Sequence, residues 1–292
     1  MRRSLTKLGL MITGLVAPSP GQTPGAAPLQ LEVYTADSNA FSVTSTLIYG
    51  RTEVILVDAQ FRTSDARRLA DRVAATGRRL KAIIVTHPHP DHYFGLATLL
   101  ERFPGTPVYI SAAGARGFPE AATAKIAQWA PLYGAEMPSQ VPTPQVPPTE
   151  PLTVDGQAIE VIADLQGDEL VKSNSVVWVP SLRALIAGDV VFQGTHVWLA
   201  ESNAETRQAW LGSLRRLGAL QPNIVVPGHK RSGDLPNSSD ALAFTSQYIT
   251  DFDAAKAVSN NADSLVAAVQ RKYPTLGLPL ILTFAAKAAF PN

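Results

Sequence analysis

No cysteine occurs among the 292 residues. That absence excludes disulfide staples, a lipoprotein anchor and any metal site built on thiolates, so the fold must be held by its apolar core. An excess of one charge is lacking too: 25 Lys and Arg stand against 24 Asp and Glu, a formal net charge of +1. The basic residues are scattered, apart from short pairs such as Arg67-Arg68, Arg78-Arg79 and Arg215-Arg216 that read as solvated helix faces. No nucleic-acid partner is therefore expected. Histidine is scarce, with five in the whole chain, and no internal repeat is strong enough to name.

What is present begins with an export signal. Arg2, Arg3 and Lys7 precede the apolar stretch "LGLMITGLVA", which is too short to span a bilayer, and a small, proline-rich segment follows. Residues 1–28 are predicted to be a signal peptide and leader, which places the mature protein in the periplasm or outside the cell with no stable membrane anchor. The string "RRSLTK" also resembles a twin-arginine signal.

Residues 29–292 read as one domain. At 46% hydrophobic the chain can bury a substantial core. "LQLEVYTA", "FSVTSTLIYG", "EVILVDA" and "LKAIIVT" read as strands. Ala66, Leu69, Ala70, Val73 and Ala74 recur at helical spacing, with Thr63 or Ser64 as the cap and Gly77 as the stop. A further helix is predicted from about Tyr93 to Arg102, and the prolines of residues 138–151 mark an extended connector. Then come the strands "LTVDG", "AIEVIA", "SVVWVP" and "ALIAGD", the helix "ETRQAWLGSLRRLGAL", the strand "NIVVP", and a C-terminal helical part with Phe244, Tyr248, Phe252 and Ala255 on one face. Such an order predicts an α/β protein with sheets within and helices outside.

Three of the five histidines fall in "IIVTHPHPDHYFG", directly after a buried strand. His87 and His89 are two apart, and Pro88 and Pro90 hold the segment extended, so both imidazoles project to one side and can grip one ion. Asp91 and His92 project differently and suit a second ion nearby. Imidazole nitrogen and carboxylate oxygen are the ligands zinc takes when no thiolate is available.

"THPHPDH" matches the His-x-His-x-Asp-His signature, and the chain from about residue 30 to residue 229 resembles the metallo-β-lactamase-fold hydrolases. The resemblance implies an αβ/βα four-layer sandwich of two mixed β-sheets with outer helices, and metals at the edge between the sheets. It makes His87 and His89 ligands of a first metal, and Asp91 and His92 the ligands or base of a second. Asp189 in "LIAGDVVF" resembles the aspartate that bridges the two, and His229 in "VVPGHK" the last histidine of the second site. The histidine that the family usually places after a glycine in between is missing. Gln166 in "ADLQGDELVKSNSVVWV" falls nearest and is the possible ligand; Asp168 and His196 are the alternatives.

Two ions so held predict an exported, zinc-dependent hydrolase, with iron or manganese as other occupants. Bound water has its pKa lowered from about 15.7 to about 7, and metals about 3.5–4 Å apart stabilise both attacking and leaving oxygens. Asp91 is the catalytic residue expected to orient the attacking hydroxide or pass its proton to the leaving group. The bridging-aspartate pattern implies a small-molecule lactone or ester as substrate. A β-lactam is the alternative, and an iron-dependent redox reaction a further one. Tyr93, His196 and Trp198 are the expected substrate contacts; Phe61, Phe94 and Phe192 near the motifs suit a pocket mouth or the core, and for Phe192 the core.

Overall fold

Alternation at period two, apolar on both faces, builds the centre of the molecule. In the computed structural model, which describes residues 27–291, β1 (Gln30–Thr35), β2 (Thr44–Tyr49), β3 (Glu53–Val57), β4 (Arg79–Ile84) and β5 (Val108–Tyr109) form one sheet in that order. The pairs β1–β2 and β2–β3 are antiparallel, whereas β3, β4 and β5 run parallel. A second sheet has the order β11 (Ile224–Val226), β9 (Ala184–Ile186), β8 (Asn174–Val179), β7 (Gln157–Leu165), β6 (Leu152–Val154). Its β11–β9 pair is parallel and the others antiparallel. The short β10 (Phe192–Gln193) and β12 (His229–Lys230) pair in parallel beside it.

Successive strand residues serve different layers. On β3, Ile55 and Val57 join a core with Ile84, Val177 and Ile186 between the sheets, while Val54 and Leu56 face the helices outside. On β8, Val177 and Val179 point inward, and Val176 and Trp178 outward. The outer face of the first sheet is covered by α1 (Thr63–Ala75), α3 (Leu96–Arg102) and α4 (Phe118–Tyr133), and that of the second by α5 (Ala204–Gly218), α6 (Asp240–Ala257), α7 (Ala262–Lys272) and α8 (Pro279–Ala289). The four layers are those the sequence predicts.

Details differ for physical reasons. The start of α1 carries Arg62 at the N-cap with no side-chain cap; a distant segment supplies it, with Glu136 Oε2 accepting from the Ser64 N–H at 2.9 Å and the Glu136 carbonyl accepting from the Thr63 hydroxyl at 3.0 Å. The helix expected over 93–102 is split into α2 (Pro90–Tyr93) and α3, because Gly95 lies against the Ala59 carbonyl, where a Cβ would come within 1.9 Å. Helix α4 is not anticipated by the sequence reading, and α8 only as part of a helical C-terminus. The proline-rich connector is extended, as predicted, and Gln145 bonds along β5. The export signal and most of the leader lie outside the described residues, among which no helix is long and apolar enough to cross a membrane.

The two sheets are stitched at one edge. Ser175, entering β8, donates from both its backbone N–H and its hydroxyl to the Thr86 carbonyl beyond β4, at 2.8 and 2.7 Å. Thr44 donates to the Gly228 and Pro227 carbonyls at 2.8 and 2.6 Å. The carboxyl ends of β3, β4, β9 and β11 therefore open onto one edge.

At that edge Gly188 has φ +47, and a Cβ there would lie 2.5 Å from Thr86 Oγ1. Gly188→Ala is expected to cost about 2–3 kcal/mol. Gly218→Ala, in α5 with nothing within 4 Å, is expected to be neutral or slightly stabilising. Urea unfolding of both variants, read as midpoint shifts at constant slope, checks the contrast.

Candidate metal centre

Thr86 ends the run that begins with β4, and the extended segment after it carries His87 and His89 to the stitched edge. Pro90 then starts α2, whose single turn presents Asp91 and His92. Asp189 arrives from the turn after β9, His229 from β12, and Asp168 from the loop between β7 and β8.

Ligating atoms of His87, His89, Asp168 and Asp189 all lie within 4.8 Å of one another, as do those of Asp91, His92 and His229. In the first group Asp168 Oδ2 is 2.9 Å from His89 Nδ1 and 3.7 Å from His87 Nε2. In the second, His229 Nε2 is 3.3 Å from Asp91 Oδ2. Asp189 joins the two: Oδ1 is 3.0 Å from His92 Nε2, and Oδ2 is 3.1 Å from His229 Nε2 and 3.8 Å from His87 Nε2.

Each imidazole is fixed from behind. His92 Nδ1–H donates to Asp58 Oδ2 at 2.8 Å, and His229 Nδ1–H to the Phe41 carbonyl at 2.6 Å. Asp58 also takes the Thr86 hydroxyl at 2.9 Å, which leaves the Thr86 oxygen to accept from His87 Nδ1–H at 3.1 Å. His89 uses its other nitrogen, Nε2–H, to donate to Glu201 at 2.8 Å. The forward-facing atoms are thus Nε2 of His87, His92 and His229, and Nδ1 of His89. Such outer partners set tautomer and ring orientation in metal sites.

The donor set fits metal ions. His87 Nε2, Asp168 Oδ2 and Asp189 Oδ1 of the first group and His92 Nε2 of the second are buried polar atoms without an aligned hydrogen-bond partner. Burying such atoms unpartnered is costly, and a cation between them removes the cost. Burial together with the neighbouring imidazoles holds His87 well below its ordinary pKa, as a ligand requires. Burial also opposes charge on His92 and His229, but Asp189 outweighs it and lifts both, and the same imidazoles pull Asp189 well below the usual carboxylate range. Burial raises Asp168 to about 6.

Several expected contacts are relocated. Gln166 does not join the cluster: its amide nitrogen donates to the Gly167 and Glu169 carbonyls of its own loop. Asp168 comes in instead, because Gly167 packs against Asn174, where a Cβ would lie 2.7 Å from the side chain. Gly167-Asp168 repeats the pattern of Gly188-Asp189 and Gly228-His229, a likeness that by itself does not choose between Asp168 and Gln166. Tyr93 is core, 1% exposed and packed on Phe94 and Phe118, so it lines no pocket. Phe61 and Phe94 are buried beside it, and Phe192 stacks on the His229 ring at 5.1 Å. His196 is buried away from the metal cluster, its Nδ1 accepting from the Tyr248 hydroxyl at 2.8 Å, and burial pushes it down to about 4. Trp198 does stand at the edge, half-buried, with its ring edge-on to His89 at 6.5 Å. Asp58, Thr86 and Glu201 carry supporting roles that spacing alone did not show.

Glu201→Ala is expected to weaken one of two metal equivalents about 10–100-fold in chelator competition, and Glu201→Gln, which keeps an acceptor, to lose less. Because folded His196 takes a proton only near pH 4, the unfolded chain binds more protons between about pH 6.5 and pH 4, and stability falls as pH drops through that window. His196→Gln should therefore lose less thermal stability than the parent between pH 7 and pH 5, measured as paired melting temperatures.

The fold and this cluster agree with what comparison with known proteins returns. No curated protein matches the chain. A metallo-beta-lactamase family protein from Thermus thermophilus superposes with a TM-score of 0.61 at 23% identity, over 90% of this chain and 91% of that one. The DIM-1 metallo-beta-lactamase gives 0.56 at 20% identity, over 77% of this chain and 98% of that one. A metallo-beta-lactamase from Pontibacter korlensis gives 0.55 at 18%, over 79% and 97%. At these identities the likeness is one of fold. The family model of the metallo-beta-lactamase superfamily matches residues 38–229, the span that contains every ligating side chain described above, and the chain belongs to that superfamily.

Proposed function

We propose that the protein is an exported dinuclear zinc hydrolase acting on a neutral lactone or ester. The observation that carries this reading is Asp189, whose carboxylate reaches both ligand groups: Oδ1 lies beside His92, and Oδ2 lies between His229 of the second group and His87 of the first. The ions would be held by His87, His89 and Asp168 on one side and Asp91, His92 and His229 on the other, with Asp189 shared. When bound, they supply Lewis acidity and a water acidified to near neutral pH.

The protein's own groups do the rest. Asp91, with its side chain 13% exposed, is placed to orient the attacking water and carry its proton to the departing alkoxide, while the water oxygen bonds to the acyl carbon as the acyl C–O bond breaks. Asp58 and the Phe41 carbonyl keep His92 and His229 aimed inward. The edge is acidic: Glu169 and Glu201 flank His89, at 3.6 and 2.8 Å from its Nε2. Among the described residues, the one Lys or Arg paired to this cluster is Lys125, and it is taken by Glu201 at 3.9 Å. Of the two glutamates, Glu201 is held ionised by its hydrogen bond to His89, so an anionic group reaching this outer edge, such as the carboxylate of a β-lactam, meets like charge, which favours a neutral substrate. The three carboxylates among seven ligating side chains also suit manganese or iron, which makes metal identity part of the test.

Elemental analysis of the purified protein, with lactone, aryl ester and chromogenic cephalosporin assayed on the same sample, tests the proposal. Two zinc equivalents with lactone or ester turnover are expected, and Asp189→Asn should lower kcat/KM about 100-fold or more. One equivalent without turnover overturns the dinuclear hydrolase, and iron with redox activity replaces it.

A further inference from the structure

Among the described residues, large exposed apolar side chains are few, and their placement is uneven. Of seven large exposed hydrophobic residues in the described chain, four lie on two segments that lead to the metal cluster: Leu170 and Val171, and Leu280 and Phe284 of α8. Leu280 is 59% and Phe284 42% exposed, and being four apart they share one face of the helix. Phe284 packs its ring against Trp198 at 6.1 Å, and Trp198 in turn stands edge-on to His89 at 6.5 Å. A continuous apolar wall thus runs from a metal-ligating histidine out to the C-terminal helix. Leu170 and Val171 follow Glu169, whose carboxylate lies 3.6 Å from the same histidine.

The wall is anchored rather than loose. The opposite face of α8 buries Ile281, Leu282, Ala285 and Ala286 in the outer core. Just before it, the Gly277 N–H donates to the Gly194 carbonyl at 2.9 Å, and the His196 N–H donates to the Gly277 carbonyl at 3.0 Å. The helix is therefore tied to the very loop that carries Trp198 and Glu201. All of α8 lies beyond residue 229, where the superfamily match ends.

We infer that Trp198, Phe284 and Leu280 form a subsite for the acyl chain of the substrate, so that the preferred substrates are esters or lactones of medium-chain aliphatic acids. This rests on the hydrolase reading above. The occupant follows from continuity and charge. One end of the wall touches the cluster that would receive a carbonyl, the other faces solvent along α8, and the Glu201 carboxylate beside His89 disfavours an anionic ligand. An aliphatic chain attached to a neutral acyl group satisfies both ends, because the chain covers exposed apolar surface while the carbonyl reaches the ligands.

The test compares aryl octanoate with aryl acetate, and octanamide with acetamide as hydrolysis-resistant probes. In the metal-loaded parent, octanoate is expected to exceed acetate in kcat/KM, and octanamide to bind more tightly than acetamide by calorimetry. In a Leu280→Ser/Phe284→Ser variant the octanoate-to-acetate ratio should fall about tenfold, and octanamide binding with it. Val258→Ser, which removes an exposed apolar residue elsewhere, is the control for surface change and should leave the ratio as it was. An unchanged ratio in the double variant, or a parent that binds octanamide no better than acetamide, overturns the subsite. Octanamide binding that is lost in the variant, with neither ester hydrolysed by the parent, supports the subsite and overturns the hydrolase reading instead.

Discussion

Four imidazoles and three carboxylates are gathered at one edge of this molecule, nearly all withdrawn from water, and that burial of charge constrains everything around them. An ionised group in a protein interior is tolerated only with a partner. Here the partners are of two kinds. Facing inward, imidazole and carboxylate oppose each other across the volume that cations would fill. Facing outward, every imidazole nitrogen not aimed at that volume has its own acceptor: Thr86, Glu201, Asp58 and the Phe41 carbonyl. Asp58 serves twice, directly for His92 and through Thr86 for His87. Its position at the end of β3, beside β4, is what lets one carboxylate reach both.

The two-sheet architecture supplies these positions because parallel strands end on one side. β3 and β4 in one sheet, and β9 and β11 in the other, all deliver their carboxyl ends to the stitched edge. Tight backbone approach there demands glycine. A Cβ at Gly228 would lie 2.1 Å from Asp189 Oδ1, so the ligands stay as close as they are through the absence of side chains between them. The glycine before each of Asp168, Asp189 and His229 has the same physical role, clearing space for a loop that must turn a polar group inward.

Around the polar centre the surroundings divide into two kinds. The aromatic residues next to the motifs, Tyr93, Phe94, Phe61 and Phe192, are packed into the core and brace the backbone that carries the ligands. The outer wall comes from chain far from the motif, from the loop of Trp198 and from α8. Substrate recognition at the proposed subsite would therefore join Trp198, inside the span of the superfamily match, to α8, which lies beyond it.

Periodicity and motif spacing determined much by themselves. Strands apolar on both faces required helices on both sides of paired sheets, and the alternation in "THPHPDH" required two histidines on one side of an extended segment, because those patterns follow from local backbone geometry. Asp189 and His229 were singled out by the family resemblance, each after a glycine at the end of an apolar strand. Choosing Asp168 over Gln166 was beyond both, since the choice turns on a short loop folding back on Asn174 and on Ser213, the latter 47 residues away from Gln166. Tyr93 and His196 were misplaced for a like reason: a side chain next to a site in sequence goes to core or pocket according to which helix packs over it. Glu201 reaches His89 across 112 residues, and α8 reaches back to Trp198 from the far end of the chain. Only the tertiary structure decided those contacts, because they depend on the packing of whole layers and not on any period within one segment.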